Sequence, residues 1–544
     1  MLHEVHARSQ KLNALYKAFM LGASTIVIAL ASSASRAETV EHIYIEPGDS
    51  YELRDGTLNV LTPETAPNYP YYYGTSIYVM GGTLNIINSD VTVTNLSDMG
   101  AAFRVVSGGS ATIIGNDRET SALTGTGNTA SVVGGYGSAA YIEENSQAHL
   151  ENLTLSSFSH GLYVNRNSRA VINHSVINVG SHNDTVGLYA LSNSQIDADD
   201  VHITTKGAWG IHSSWGSNLN FHNGSVYTQG DMAHAVVSSS DDALINISNT
   251  DIETEGVTAL GLYAYLSGKI NASNVHIVTS GAYGYGLHSQ GQGHLTVTDG
   301  TTIRTSGSEA HGALIAYNNT MNISDTIIQT SGEGAAGLAM VSHNHDAKKQ
   351  SNLFDVKDST IESEKGPAML VQGGLSNTFK LNHVKASGGG EAPLLLLSDV
   401  FTTSQVGTID IDATASTLTG DILAESGTVS VDLKDGSSLT GAARLASSGN
   451  VVERISVDDS SAWWMTGTSV VNQLDHYGTV GFTTPADNGF RTLTVNHDYD
   501  GQDGLFVLYT QLGDDNSLTD KLVFLATSPE RHRLKSSMPM VWAA

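Results

Sequence analysis

The sequence predicts an all-β protein, a right-handed parallel β-helix (a β-solenoid of about 25 residues per coil) with a cap at each end. Three observations carry the prediction. A motif recurs at a nearly fixed period, apolar and polar residues alternate within short stretches, and glycine-marked turns separate those stretches.

The period is clearest in the middle of the chain. A Thr-x-Gly column runs through Thr205/Gly207, Thr228/Gly230, Thr254/Gly256, Thr279/Gly281, Thr305/Gly307 and Thr330/Gly332, the glycines 23 to 26 residues apart. Two residues before each Thr stands a β-branched residue: Ile203, Val226, Ile252, Ile277, Ile303 and Ile328. A second column brackets a polar residue with apolar ones, as in Leu219-Asn220-Phe221, Ile245-Asn246-Ile247 and Met321-Asn322-Ile323. A third is Gly followed by an apolar residue, as in Gly187-Leu188, Gly261-Leu262 and Gly337-Leu338. Alternation of period two is the mark of half-buried strands. Three such strands per repeat suit one coil of a β-helix, whose apolar columns stack into a continuous core. A β-propeller blade needs roughly 40–45 residues, too many for this repeat.

Taken in order, residues 1–37 read as a signal peptide. A basic stretch (Arg8, Lys11, Lys17) precedes an apolar run from Ala18 to Ala31 and small residues up to Ala37, so cleavage is expected between Ala37 and Glu38. The apolar run is too short for a membrane anchor, and no later segment is long and apolar enough to span. Residues 38–80, with the aromatic stretch NYPYYYG at 68–74, read as an N-terminal cap. Residues 81–455 read as the β-helix. Residues 456–525 lose the period, gain Trp463 and Trp464, and read as longer hairpin strands forming a C-terminal cap, since open solenoid ends need covering. Residues 526–544 change texture again, with Pro529, Pro539 and a basic cluster of Arg531, His532, Arg533 and Lys535, and read as a frameshifted tail.

Composition narrows the function. With 26 Lys and Arg against 54 Asp and Glu the net charge is −28, which excludes nucleic acid and anionic membrane surfaces as partners. Hydrophobic residues make up 40%, enough to bury a core, so disorder is not expected. The absence of Cys rules out thiol catalysis and thiolate metal sites, and in an exported chain it means stability without disulfides.

The segment SSAWWMTGTSVVNQL (460–474), followed by FRTLTVNHDYDGQDGLFVLYTQLGDDNSLTDKLVF (490–524), resembles the autochaperone cap of classical, pertactin-like autotransporter passengers of type V secretion. The positions that carry the resemblance are Ser461, Trp463, Gly467, Ser469, Val470, Leu474, Phe490, Leu493, Val495, Phe506, Leu508, Thr510, Leu512, Asp520, Lys521 and Leu522. The resemblance implies a passenger that is surface-exposed or secreted. It also implies a helical linker and a translocator β-barrel after the cap. Neither is in this sequence, so the expectation is a truncated passenger that reaches the periplasm by its signal peptide.

Candidate chemistry is sparse. Parallel β-helices also host polysaccharide lyases and hydrolases, which need clustered Asp beside Arg or Lys. DADD (197–200) and SSSDDAL (238–244) offer Asp pairs, but no basic residue is evident in register with them. Ser50 in EPGDSYEL (46–53) lacks the context of a protease nucleophile, and RDG (54–56) reads as a turn. His343 and His345 in SHNHD read as loop residues, and Tyr69, Tyr71, Tyr72 and Tyr73 as a cap loop with some capacity for contacts. No catalytic, cofactor or metal residue is expected. The expected function is a non-enzymatic passenger, an adhesin or self-association factor. Its partners would be host-surface or extracellular-matrix molecules, or the same protein on other cells. The alternative is an exported polysaccharide-acting β-helix enzyme.

Overall fold

The computed structural model describes residues 38–62, 74–96, 101–116, 130–134, 137–180, 185–240, 242–342, 351–390, 392–398, 406–485, 489–511, 513, 517–525 and 540–543. Residues 1–37, read as a signal peptide ending at Ala37, lie outside them, and Glu38 opens the first strand, Glu38–Val40. Every described element is a β-strand, and no helix among the described residues is long and apolar enough to cross a membrane. The described residues fall into two compact units, one reaching to Asn178 together with Leu191–Ala198, the other Val179–Ala190 with Asp199 onward.

In both units a coil is three short strands, each paired in parallel with its equivalents one coil away. In the first unit, Ser50–Arg54 pairs with the first half of Thr83–Asn95, Thr57–Thr62 with the second half, and Ile43–Ile45 with Ile77–Met80. The second unit repeats the order. Leu244–Thr254 spans the first and second ladders, and Leu262–Tyr265 lies in the third. The register matches like with like: Ile245 faces Ile270, Ile252 faces Ile277 and Leu262 faces Leu287. Alternation sends these side chains inward, where all six are buried. Full burial of each such side chain contributes roughly 1.5–3 kcal/mol. Phe354 and Phe379 stack the same way, ring centroids 5.8 Å apart.

Three polar columns make the stacking possible. The bend between the first two ladders needs a residue in the left-handed region, and Asn223, Asn249 and Asn274 supply it with φ of 54°, 50° and 52°. Their amides chain from coil to coil, Asn274 Nδ2 to Asn249 Oδ1 at 2.9 Å and Asn249 Nδ2 to Asn223 Oδ1 at 3.0 Å. Just past the bend stands a buried hydroxyl. The Thr301 hydroxyl accepts the Val275 N–H (3.2 Å) and donates to the Thr298 carbonyl (2.7 Å), and Ser437 does the same between Ser416 and Lys434. A bend breaks the ladder's own hydrogen bonds, so these hydroxyls satisfy groups that would otherwise be buried unpaired.

The Thr-x-Gly column closes the second ladder. Buried Thr228, Thr254 and Thr330 donate across the turn to the carbonyls of Ala233 (2.6 Å), Ala259 (3.1 Å) and Ala335 (3.1 Å). The glycines then lie against one another. A Cβ on Gly256, Gly281, Gly307 or Gly332 would fall within 3.0 Å of the carbonyl oxygen of the equivalent glycine in the preceding coil.

The caps differ from the sequence expectation. Residues 38–62, read as part of an N-terminal cap, already run in the coil's strand order, with Glu38–Val40 paired to Leu58–Val60. The C-terminal cap is not built of hairpins. Its strands continue the parallel ladders: Ser469–His476 on Thr492–Gly501, that strand on Lys521–Phe524, and Thr479–Phe482 on Leu505–Tyr509. The one antiparallel contact among the described residues is the bridge between Thr510 and Thr519. Strand direction is invisible in an alternation pattern, which reads the same both ways. What changes is the third ladder, whose last strand among the described residues is Ala443–Arg444. Pairing also reaches into the segment read as a frameshifted tail, where Met540–Ala543 lies in parallel against Leu505–Tyr509.

Gly281→Ala is expected to destabilise the fold by about 1–3 kcal/mol or more, the range for forced overpacking. Gly436→Asn, at a φ of 81° with nothing within 4 Å, is expected to cost well under half as much. Urea-denaturation midpoints of the two variants check this.

Candidate functional site

The residues that carry the passenger resemblance converge in the last coils, where most of them are core and turn groups. Trp463 is wholly buried, and its indole N–H donates to the Gly441 carbonyl at 2.9 Å. Register aligns it with Val480 and Phe506 in successive coils. Leu474, Leu493, Val495 and Leu508 are also buried. Ser461 and Ser469 continue the buried hydroxyls: Ser461 accepts the Ser437 N–H (3.1 Å), and Ser469 accepts that of Ala443 (3.2 Å) and donates to the Gly467 carbonyl (3.2 Å). Val470, Phe490 and Leu522 are half-buried and Lys521 is exposed.

Asp520 ties the end together. Its buried carboxylate accepts the Arg491 N–H and the Tyr509 N–H, both at 2.9 Å, and so joins the strands on either side of it. His476, which the sequence did not single out, is wholly buried against Phe506 (ring centroids 4.1 Å) with Nδ1 at 3.1 Å from the Tyr499 hydroxyl. Burial pulls its pKa down.

Of the other candidates, Ser50 opens a strand, Asp55 turns the chain at a φ of 49°, and Tyr69, Tyr71, Tyr72, Tyr73, His343 and His345 lie outside the described residues. The statement that no basic residue accompanies the Asp pairs is corrected. Arg169 reaches Asp197 at 2.8 Å, and Lys269 reaches Asp242 at 2.8 Å. Both side chains lie one coil away, at a sequence distance where a linear reading has no register. The Lys269 pair holds the Asp242 carboxyl below its usual range.

A larger departure lies on the outward side of the first ladder near the cap. Asp412, Asp432, Lys434, Arg454 and Asp475 occupy neighbouring coils in one face. Lys434 pairs with Asp412 (2.7 Å), and Arg454 bridges Asp432 (2.9 Å) and Asp475 (2.7 Å). Burial and then the nearby Asp432 raise the pKa of Asp410 beside them. The sequence analysis found no such cluster, because its members are spread over more than sixty residues, from Asp410 to Asp475, and meet only when the coils stack. Among the described residues no group of three or more His, Cys, Asp or Glu is placed to hold a metal ion.

The outward side of the third ladder carries a different surface, also missed. The residues two after Gly187, Gly210, Ala235, Gly261, Gly286 and Gly312 point outward there, namely Tyr189, His212, Val237, Tyr263, His288 and Leu314. Tyr189 stacks on His212 (4.6 Å) and Tyr263 on His288 (4.8 Å). Residues of the preceding turn fold over the strip: Trp209 contacts His212 and His234, and Tyr285 stacks on His311 at 5.3 Å. Further on, Leu314, Ala339 and Leu370 form a small apolar cluster with Tyr285 packed against it. Burial pushes the phenols of Tyr263 and Tyr285 up to about 12. Both phenols are therefore uncharged at neutral pH, on a chain of net charge −28.

His234 and His311 are the buried imidazoles of this strip. In each, Nδ1 accepts a backbone N–H one coil away, from Leu260 at 3.2 Å and from Ala336 at 3.0 Å. A proton on Nδ1 would abolish that bond, and burial brings both pKa values down from 6.5 to about 4. The unfolded chain then binds more protons than the folded one between those values. Stability is complete above about pH 6.5 and declines as pH falls towards 4, by about 3 kcal/mol per ring. Denaturant midpoints are expected to drop over that window, and a His234→Asn/His311→Asn variant is expected to flatten the drop. Asp520→Ala is expected to cost about 3 kcal/mol, two charge-assisted hydrogen bonds being lost together, and to raise hydrogen exchange at Lys521–Phe524 before the rest of the chain.

Residues 469–530 match the model of the Autochaperone Domain Type 1. No curated protein matches the chain. Among solved structures the chain is similar to a chain in the cryo-EM structure of the Vag8–C1 inhibitor complex, with 13% identity, a TM-score of 0.46, and coverage of 90% of this chain and 98% of that one. The chain is thus a parallel β-helix ending in an autochaperone-type segment, and through that segment it is similar to autotransporter passengers.

Proposed function

We propose that this chain is a non-enzymatic, exported passenger whose work is contact: adhesion to host-surface or matrix molecules, or self-association between cells. The observation that carries this reading is the aromatic and imidazole strip on the third ladder, where the half-buried rings of Tyr189, Tyr263, Tyr285 and His288 reach the surface beside the buried His212, His234 and His311. Aromatic side chains at interfaces combine apolar area with a polar tip, which suits reversible attachment from water. The autochaperone-type segment supports export and exposure outside the cell.

The charged face favours a second reading, a polysaccharide-acting enzyme. Asp410, with its raised pKa, stands beside Asp432 and Arg454, the residue types that acid–base cleavage of a glycosidic bond requires. The ion pairs oppose it, since Lys434 and Arg454 are already engaged with Asp412, Asp432 and Asp475.

Purified protein is expected to adhere to matrix-coated surfaces, or to form concentration-dependent assemblies in sedimentation, and to leave a panel of polysaccharides uncleaved. Turnover abolished by Asp410→Asn would establish the enzyme instead.

A further inference from the structure

The turn that leads from the third ladder back to the first holds residues in the left-handed region, and around Trp215, Leu266 and Tyr317 it lies at the surface. In register, the first left-handed position of this turn is held elsewhere by Ser107, Glu144, Arg166, Ser192, Ser240 and Gly291, none of them apolar and large, and the second by small or polar residues such as Gly108, Asn145, Asn167, Asn193 and Gly216. Three coils of the second unit depart from this. Trp215, Leu266 and Tyr317 take φ of 55°, 49° and 64° at the same turn. A bulky side chain in this region is strained where Gly or Asn is not. Nor is the strain offset by burial, for Trp215 is 59% exposed and Leu266 57%.

These side chains line one shallow groove of about 590 Å³. Register spaces them two coils apart, about 9–10 Å at the usual strand separation. Leu266 covers the floor at Gly291, where an added Cβ would meet its side chain at 3.9 Å. Between the apolar groups stand Ser267, Gln292 and Asn318, which bring hydroxyl and amide donors and acceptors. No lining residue is charged.

We infer that this groove binds an uncharged oligosaccharide, along the coil-stacking direction. A pyranose presents apolar C–H faces and a rim of hydroxyls. Flat aromatic faces suit the first, and Ser267, Gln292 and Asn318 suit the second. The two-coil step is comparable to the length of a disaccharide. The chain's net charge of −28 opposes an acidic glycan, and the uncharged lining offers a cationic ligand no carboxylate. A peptide adding a strand would need an unpaired strand edge, whereas the strands flanking these turns are laddered on both sides. The inference rests on the contact role proposed above and names its ligand class.

The test is titration of the full chain with cello-, malto- and N-acetylated chito-oligosaccharides from dimers to hexamers, read by calorimetry and by tryptophan fluorescence. Saturable binding to at least one series is expected. Trp215→Asn and Tyr317→Asn are each expected to weaken it about tenfold, one lost aromatic contact with its buried area. Both variants are expected to melt at or above the parent temperature, because Asn accepts the left-handed backbone. This separates lost binding from lost folding. No saturable binding to any series, binding undiminished in the double variant, or tighter binding of acidic oligosaccharides would each overturn the inference. Protein that adheres or self-associates yet binds no oligosaccharide removes the groove and leaves the contact role standing. Protein that binds oligosaccharide but neither adheres nor self-associates removes the contact role and leaves the groove.

Discussion

The separation of neighbouring coils, about 4.8 Å, is the constraint on which everything else in this chain depends. A parallel ladder fixes that distance wherever strands pair, and the turns must then meet it without the help of pairing. The glycines at 256, 281, 307 and 332 meet it by having no side chain, so that one turn rests on the carbonyl of the turn before. The Asn column meets it with amide chains, and the buried hydroxyls with one accepted and one donated bond each. Without these devices the strands would still alternate correctly, but the bends would carry unpaired backbone groups inside the core.

The same constraint divides the molecule chemically. Inward positions accept apolar residues that stack on one another, as where Ile faces Ile and Phe faces Phe. Outward positions on the first ladder bring charges together, with Lys434 and Arg454 set among Asp412, Asp432 and Asp475. Outward positions on the third ladder are half-covered by the preceding turn, which suits rings better than ions: a charge desolvated there would need a partner. His234 and His311 show the consequence, being held neutral by burial and by the backbone N–H each one accepts.

Much of the fold was legible because its determinants are local and periodic. The Thr-x-Gly column named the turn, the β-branched residue two before it named the second strand, and the Gly-apolar pair named the third. What the sequence concealed depends on register. Arg169 and Asp197 are one coil apart, and nothing in the linear order says that they touch. The cap's strand direction was misjudged because Leu493 and Val495 alternate identically in a hairpin and in a parallel ladder. The passenger-like motif was found in the sequence, but the role of Asp520 as a clamp on two backbone N–H groups needed coordinates.

The turn between the third and first ladders sits outside both systems. Gly, Asn, Ser, Trp, Leu and Tyr all occupy it in one coil or another, with the backbone shape unchanged in kind. A substitution at an exposed position of it, such as Trp215 or Leu266, alters what the surface offers and leaves the interior columns in place. Selection can therefore rewrite binding preference coil by coil while the scaffold is conserved, much as movable type is reset in a fixed frame. Homologous solenoids would then be expected to diverge first and furthest along this line of turns.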